Sequence, residues 1–163
     1  MNNHPLWLAI VFYTLILTAC SSNNDNIKSK QLDTYDETNA KKIEIEILNQ
    51  VNNYRINKGF SLLEKSEAIK FQSKKHTDYM IDKNIVSHDF FNLRKQYLNK
   101  NINAINVAEN VAYGYSSAKS VVNAWIRSDG HRKNMEGNFT HFDVSAEKNP
   151  KGKWYFTNIF VKK

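Results

Sequence analysis

Cysteine occurs once in this chain, at Cys20, so no disulfide can form within it and the core must hold by packing alone. Charge is missing from the first nineteen residues. None of the 23 basic or 16 acidic residues precedes Cys20, and the whole net charge of +7 falls beyond it. No Lys/Arg cluster is interleaved with aromatic residues, so the chain lacks a nucleic-acid footprint. There is no internal repeat, and no H-E-x-x-H helix to lock a zinc site locally. The basic excess favours contact with anionic lipid or polyanions, although a solvated surface is the plainer account.

The uncharged start is a targeting segment. Leu6 to Leu17 (LWLAIVFYTLIL) is an apolar run too short to span a bilayer comfortably and suited to a signal-peptide core. It ends in Leu17-Thr18-Ala19-Cys20, which resembles the lipobox of bacterial lipoproteins. That resemblance implies cleavage before Cys20 and diacylglycerol on its sulfur. Met1 to Pro5 carries no Lys or Arg, so an uncleaved anchor or an ordinary secretory signal is the alternative; each takes the chain out of the cytoplasm. Residues 1–19 are therefore read as signal peptide and 20–37 as a lipidated cysteine with a polar, aperiodic tether. Such a tether lets a domain over 38–163 stand roughly 20–25 Å from a membrane.

Within that domain Ile43, Ile47, Val51 and Tyr54 keep helical spacing, and Gly59 is placed to stop a helix over Thr38 to Lys58. A second helix is expected from Ser66 to Lys83, with Ile69, Ser73, His76 and Met80 on one side. Ile85 to Phe91 reads as a loop or single turn, and Leu93 to Lys100 as a short helix. Ile102 to Tyr113 is a strand candidate. Ser116 or Ser117 can cap a helix reaching Met135, with Gly130 a place for it to break. His141 to Glu147 alternates as a strand, and Asn149-Pro150-Lys151-Gly152 suits a tight turn. Trp154 to Val161 is apolar on both faces, as a covered strand would be. Helices around short antiparallel strands imply an α+β fold, a three-layer α–β–α sandwich.

The chemistry-bearing stretch runs from Ile105 to Asn134. On a strand Ile105, Val107, Glu109 and Val111 share a face, and a carboxylate in an apolar row needs a partner. Trp125, Ser128 and His131 recur at intervals of three, which keeps them near one helix face. His88, in VSHDFF, is the third candidate beside Glu109 and His131. The alternative for Glu109 is a buried carboxylate paired with a histidine and backbone N–H groups, and for His131 a helix cap. Ser128 and His131 carry no oxyanion hole or strained elbow with them, which argues against a nucleophile and base. Trp125 reads as core, His76 as packed on its helix, and His141 as a strand-edge residue. Asn110 and Asn134 suit ties to irregular main chain.

Taken in order, these motifs resemble the CAP superfamily (cysteine-rich secretory proteins, antigen 5, pathogenesis-related-one proteins; the SCP-like domain) in its bacterial branch. The resemblance rests on Asn49 to Gly59 with Arg55, His76-Thr77-Asp78-Tyr79-Met80, Ser87-His88 and Ala108-Glu109-Asn110-Val111. It also takes in Trp125-Ile126-Arg127-Ser128-Asp129-Gly130-His131-Arg132, Asn134 and the aromatic last strand. It implies an α–β–α sandwich whose cleft is lined by two histidines and two acidic residues and holds a divalent metal in some members. Carried over, His88, Glu109 and His131 are the metal ligands, with zinc the natural cation and water completing an open site. Ser128 stands where many eukaryotic members have a fourth-ligand glutamate, and Asp129 lies about 100° further round a helix.

Function is expected to be that of an exported, lipid-anchored surface or envelope protein. Its cleft would be a non-enzymatic binding module for a host protein, lipid or glycan. A metal-dependent hydrolase of the cell envelope is the alternative, and a structural or immunogenic surface protein a third. The partners expected are a membrane, through the N-terminal lipid, and that ligand; no nucleic acid is among them.

Overall fold

The computed structural model describes Met1 and residues 42–163. The targeting segment, Cys20 and the tether lie outside the described residues. Helix α1 covers 42–57 and buries Ile43, Ile47, Leu48 and Val51, the stripe its spacing predicts. It stops where Gly59 takes φ 81°, which lets the Phe60 N–H turn back to the Arg55 carbonyl at 2.9 Å. Helix α2 is Glu67–Lys83 and α3 is Phe91–Ile102. Strand β1 is Asn106–Tyr113, followed by α4 at Ala118–Arg127 and α5 at Asp129–Met135. The chain closes with β2 at His141–Lys148 and β3 at Trp154–Lys162.

The three strands form one antiparallel sheet in the order β1-β3-β2, with β3 between its two partners. Alternation along each strand then assigns the layers. Phe156 and Phe160 of β3, Phe142, Val144 and Ala146 of β2 and Ala112 of β1 pack against α1, α4 and α5. The opposite face presents Val107 and Val111 of β1 with Tyr155, Ile159 and Val161 of β3, covered by Ile69 and Met80 of α2 and Leu98 of α3. The result is the α–β–α sandwich. Each fully buried Phe contributes about 1.5–3 kcal/mol relative to exposure, so the first face supplies most of the apolar stabilisation. The second is more polar: Thr77 Oγ1 donates to Thr157 Oγ1 at 2.9 Å and Ser73 Oγ to the Asp143 carbonyl at 3.3 Å.

Two expectations change. The strand begins at Asn106 rather than Ile102, because α3 runs on to Ile102 and Asn103 caps it at φ 56°. Ile105 is therefore outside the strand and 74% exposed, while Val107, Glu109 and Val111 do share a buried face. The helix after Ser117 is two helices. Ser117 and Ser120 close a reciprocal capping box at 3.2 Å, but Ser128 takes the extended φ −94°, ψ 118°. It ends α4 and caps α5, so the break falls at Ser128 and Gly130 lies inside α5. Trp125, Ser128 and His131 thus do not share one continuous helix face. Trp125 is core, 1% exposed, with its indole N–H on the Val111 carbonyl at 3.3 Å.

Arg55 closes the far side. Its side chain is buried and donates to the carbonyls of Ser61 (2.9 Å), Met135 (2.6 Å) and Gly137 (3.0 Å), tying α1 to the loops beyond it and after α5. Buried carbonyls that lose a donor cost about 1–3 kcal/mol each, so Arg55→Met is expected to destabilise by about 3 kcal/mol or more. Urea unfolding checks this as a lower midpoint at unchanged slope.

Candidate functional site

Glu109 sits in the middle of β1, opposite Ile159, on the face covered by α2 and α3. Its side chain is 1% exposed, so its charge demands compensation. Arg94, on α3, supplies it in a two-pronged pair: Nε reaches Oε2 and Nη2 reaches Oε1, both at 2.7 Å. The third prong, Nη1, donates to the Asp89 carbonyl at 2.6 Å. His88 Nδ1 lies 2.8 Å from Glu109 Oε1, and the ring is half exposed. His76 Nε2, buried on α2, is 3.8 Å from the same oxygen and bonds the Ser87 carbonyl at 2.7 Å.

Local backbone makes this convergence. Phe90 enters α3 with φ 58°, ψ 20°, a left-handed conformation that costs a bulky residue about 1–2 kcal/mol. Tyr79 holds that turn, its ring edge-on to Phe90 and its hydroxyl on Asp89 Oδ2 at 2.9 Å. The turn brings His88 to the strand's carboxylate and the Asp89 carbonyl to Arg94. On the other side of β1, Asn134 Nδ2 donates to Asn110 Oδ1 at 2.8 Å and to the Glu109 carbonyl at 3.2 Å. Asn110 Nδ2 holds the His131 carbonyl at 3.1 Å. These amides tie α5 to β1, bonding the main chain of a helix and a strand rather than the irregular main chain expected.

His88 and Glu109 therefore meet, as the sequence suggests. His131 lies in the first turn of α5, half-buried, where the charge of His88 reaches it but no hydrogen bond links it to His88 or Glu109 among the described residues. Asp129 turns to solvent and pairs with Arg132 at 2.7 Å. Arg94 and His76 are the members of the Glu109 cluster that sequence reasoning misses. Phe91, Arg94 and Leu98 follow helical i, i+3, i+7 spacing, so an arginine set in an apolar stripe is the available signal. His76 stands in the predicted buried row of α2.

Two cavities flank the ion pair. One, about 310 Å³, is lined by His88, Phe91, Val107, Ala108, Glu109 and Asn134, none of them a hydroxyl or thiol nucleophile. A groove of about 440 Å³ between α2 and α3 shares His76 and Arg94 and has Tyr79, Phe90, Leu93 and Tyr97 in its walls. Glu109 does not fit as a ligand of a divalent cation. Both oxygens of the carboxylate already hold a guanidinium, while His88, bonded to it through Nδ1, keeps Nε2 as a donor atom. Among the described residues no three His, Cys, Asp or Glu side chains are grouped to hold a metal.

Burial would raise the Glu109 carboxyl, but hydrogen bonds from His88 and Arg94, with the charges of Arg94 and His76, hold it below its ordinary 4.5. Burial pushes His76 below 6.5 against the pull of Glu109, and burial with the His88 charge does the same to His131. All three folded values are depressed. Their stabilisation is complete above the unfolded values and lost as pH falls, the histidines from 6.5 downward and Glu109 from 4.5 downward. Glu109→Gln is expected to cost about 3–5 kcal/mol at neutral pH, because Arg94 is left buried and unpaired. Denaturation curves over acid to neutral pH should also show that the variant lacks the drop below pH 4.5.

The profile of the cysteine-rich secretory protein (CAP) family matches residues 48–160, so the chain belongs to that family. Among curated proteins it is 27% identical over 124 residues to the uncharacterized membrane protein YlbC of Bacillus subtilis, covering 74% of this chain and 34% of that one. It is 28% identical over 142 residues to the uncharacterized protein YkwD of the same bacterium, covering 78% and 54%. The chain thus spans about a third to a half of the length of these relatives. Among solved structures, an extracellular protein containing an SCP domain from Bacillus anthracis matches with TM-score 0.67 and 25% identity, over 76% of this chain and 41% of that one. An outer surface protein from Borrelia burgdorferi matches with TM-score 0.64 and 19% identity, over 71% and 89%. The bacterial SCP-type sandwich is the fold they share with this chain.

Proposed function

We propose that the protein works outside the cytoplasm as a non-catalytic binding module, held at a bacterial envelope by a lipidated Cys20. The cleft beside His88 would take the ligand, a host protein, lipid or glycan. The observation that carries this reading is the pairing of Glu109 with Arg94. A carboxylate held ionised by a bidentate guanidinium cannot cycle its proton as a general acid or base. No nucleophile lines the cavity beside it. Export and anchoring draw support from the Leu17-Thr18-Ala19-Cys20 sequence. The similar proteins described as an outer surface protein and an extracellular protein point the same way.

The purified protein is expected to hydrolyse casein and isolated cell-wall glycan no faster than its Glu109→Gln variant. Turnover that vanishes in that variant, or on chelation, would replace the binding module with an envelope hydrolase. In cells, the wild type is expected to incorporate a clickable palmitate analogue and fractionate with membrane. Cys20→Ala should lose both properties, and a variant that keeps them would remove the lipid anchor.

A further inference from the structure

We infer that Arg94 is the resident cation of this cleft, occupying both oxygens of Glu109, so that a divalent metal cannot take this carboxylate as a ligand. Glu109 is buried and accepts two parallel N–H bonds from Arg94 at 2.7 Å, one on each oxygen. A metal that used Glu109 as a ligand would have to take one of those oxygens, and the guanidinium cannot leave by losing its proton. Nor can it swing away cheaply. Its side chain is 6% exposed, its remaining prong is fixed on the Asp89 carbonyl, and it lies 5.9 Å from the Phe91 ring. A divalent ion brought to Glu109 would therefore face an adjacent fixed positive charge in a site of low dielectric.

His88 Nδ1 hydrogen-bonds Glu109 Oε1 at 2.8 Å, and His76 Nε2, bonded to the Ser87 carbonyl, lies 3.8 Å from the same oxygen. His131 shares no hydrogen bond with this group among the described residues, although the charge of His88 reaches it. The arginine also performs the mechanical task of a structural metal, since it joins the central segment of β1 to the first turn of α3. This inference does not depend on what the cleft binds: a protein that loads metal through Glu109 without turnover would overturn it and leave the binding module standing.

The test is zinc titration of the purified protein by calorimetry, paired with melting temperature in zinc and in EDTA. The wild type and Glu109→Gln are expected to bind zinc equally up to on the order of 100 μM, with no saturable site that depends on Glu109, and to show the same difference in melting temperature between zinc and EDTA. Arg94→Gln frees Glu109 beside His88 and His76, and is expected to bind zinc about tenfold or more tightly than wild type, with a zinc-dependent rise in melting temperature. Adding Glu109→Gln should abolish that gain, and Arg94→Lys, which keeps the charge, should not show it. One-site binding by the wild type that is lost in Glu109→Gln would overturn the inference. So would a folded Arg94→Gln protein that binds no better than wild type. Should Arg94→Gln fail to fold, the wild-type comparison decides alone.

Discussion

A carboxylate buried in the centre of a strand can exist only if something cancels its charge, and here a guanidinium does so from the neighbouring helix. Burying both ions is expensive, and the cost is offset only when geometry is good and the remaining donors are used. The pair meets those conditions: two parallel bonds at 2.7 Å, a third from Arg94 to Asp89, and a histidine on the second lone pair of Oε1. Because both partners sit on regular elements, satisfying the charge also fixes how α3 lies on the sheet. The turn before α3, with Phe90 in its left-handed conformation, follows from that placement.

The two faces of the sheet divide the work. The face under α1, α4 and α5 is a continuous cluster of Phe, Val, Ile and Trp side chains. It supplies the burial that a chain without disulfides requires. The face under α2 and α3 carries smaller apolar clusters separated by buried polar groups, among them Thr77, Thr157, His76 and Glu109. Polar groups inside a fold are tolerated when paired, and pairing them specifies register more sharply than apolar contact does. The asparagines Asn110 and Asn134 connect the layers at the strand's other face, so that Glu109 is braced from behind through its own carbonyl.

Much of this architecture is legible in the residues themselves. Periodicity locates α1, α2, β2 and β3 to within a residue or two over the described range, and Gly59 and Ser117 end and begin helices as their side chains allow. Glu109 declares itself by standing in an apolar row, and His88 by its short aromatic loop. Gly130 invites the helix break that Ser128 in fact makes. Glycine's propensity is local, whereas Ser128 is set by the need to fold α5 back against β1. Arg94 escapes notice because an arginine on a short polar helix is usually solvated, even though Phe91 and Leu98 mark the stripe it belongs to.

The order of residues alone determined which segments could be helix or strand, that a single cysteine leaves packing to hold the core, and that Glu109 required a partner. Which cation answers that requirement was decided only by the tertiary fold. His131, His88, His76 and Arg94 are all chemically eligible, and they lie at different distances along the polymer. Charge compensation depends on separation in space, over a few ångströms, and sequence spacing does not measure that distance across elements. Packing α3 against β1 brought the arginine to the carboxylate, and that approach gave the cleft its electrostatic character.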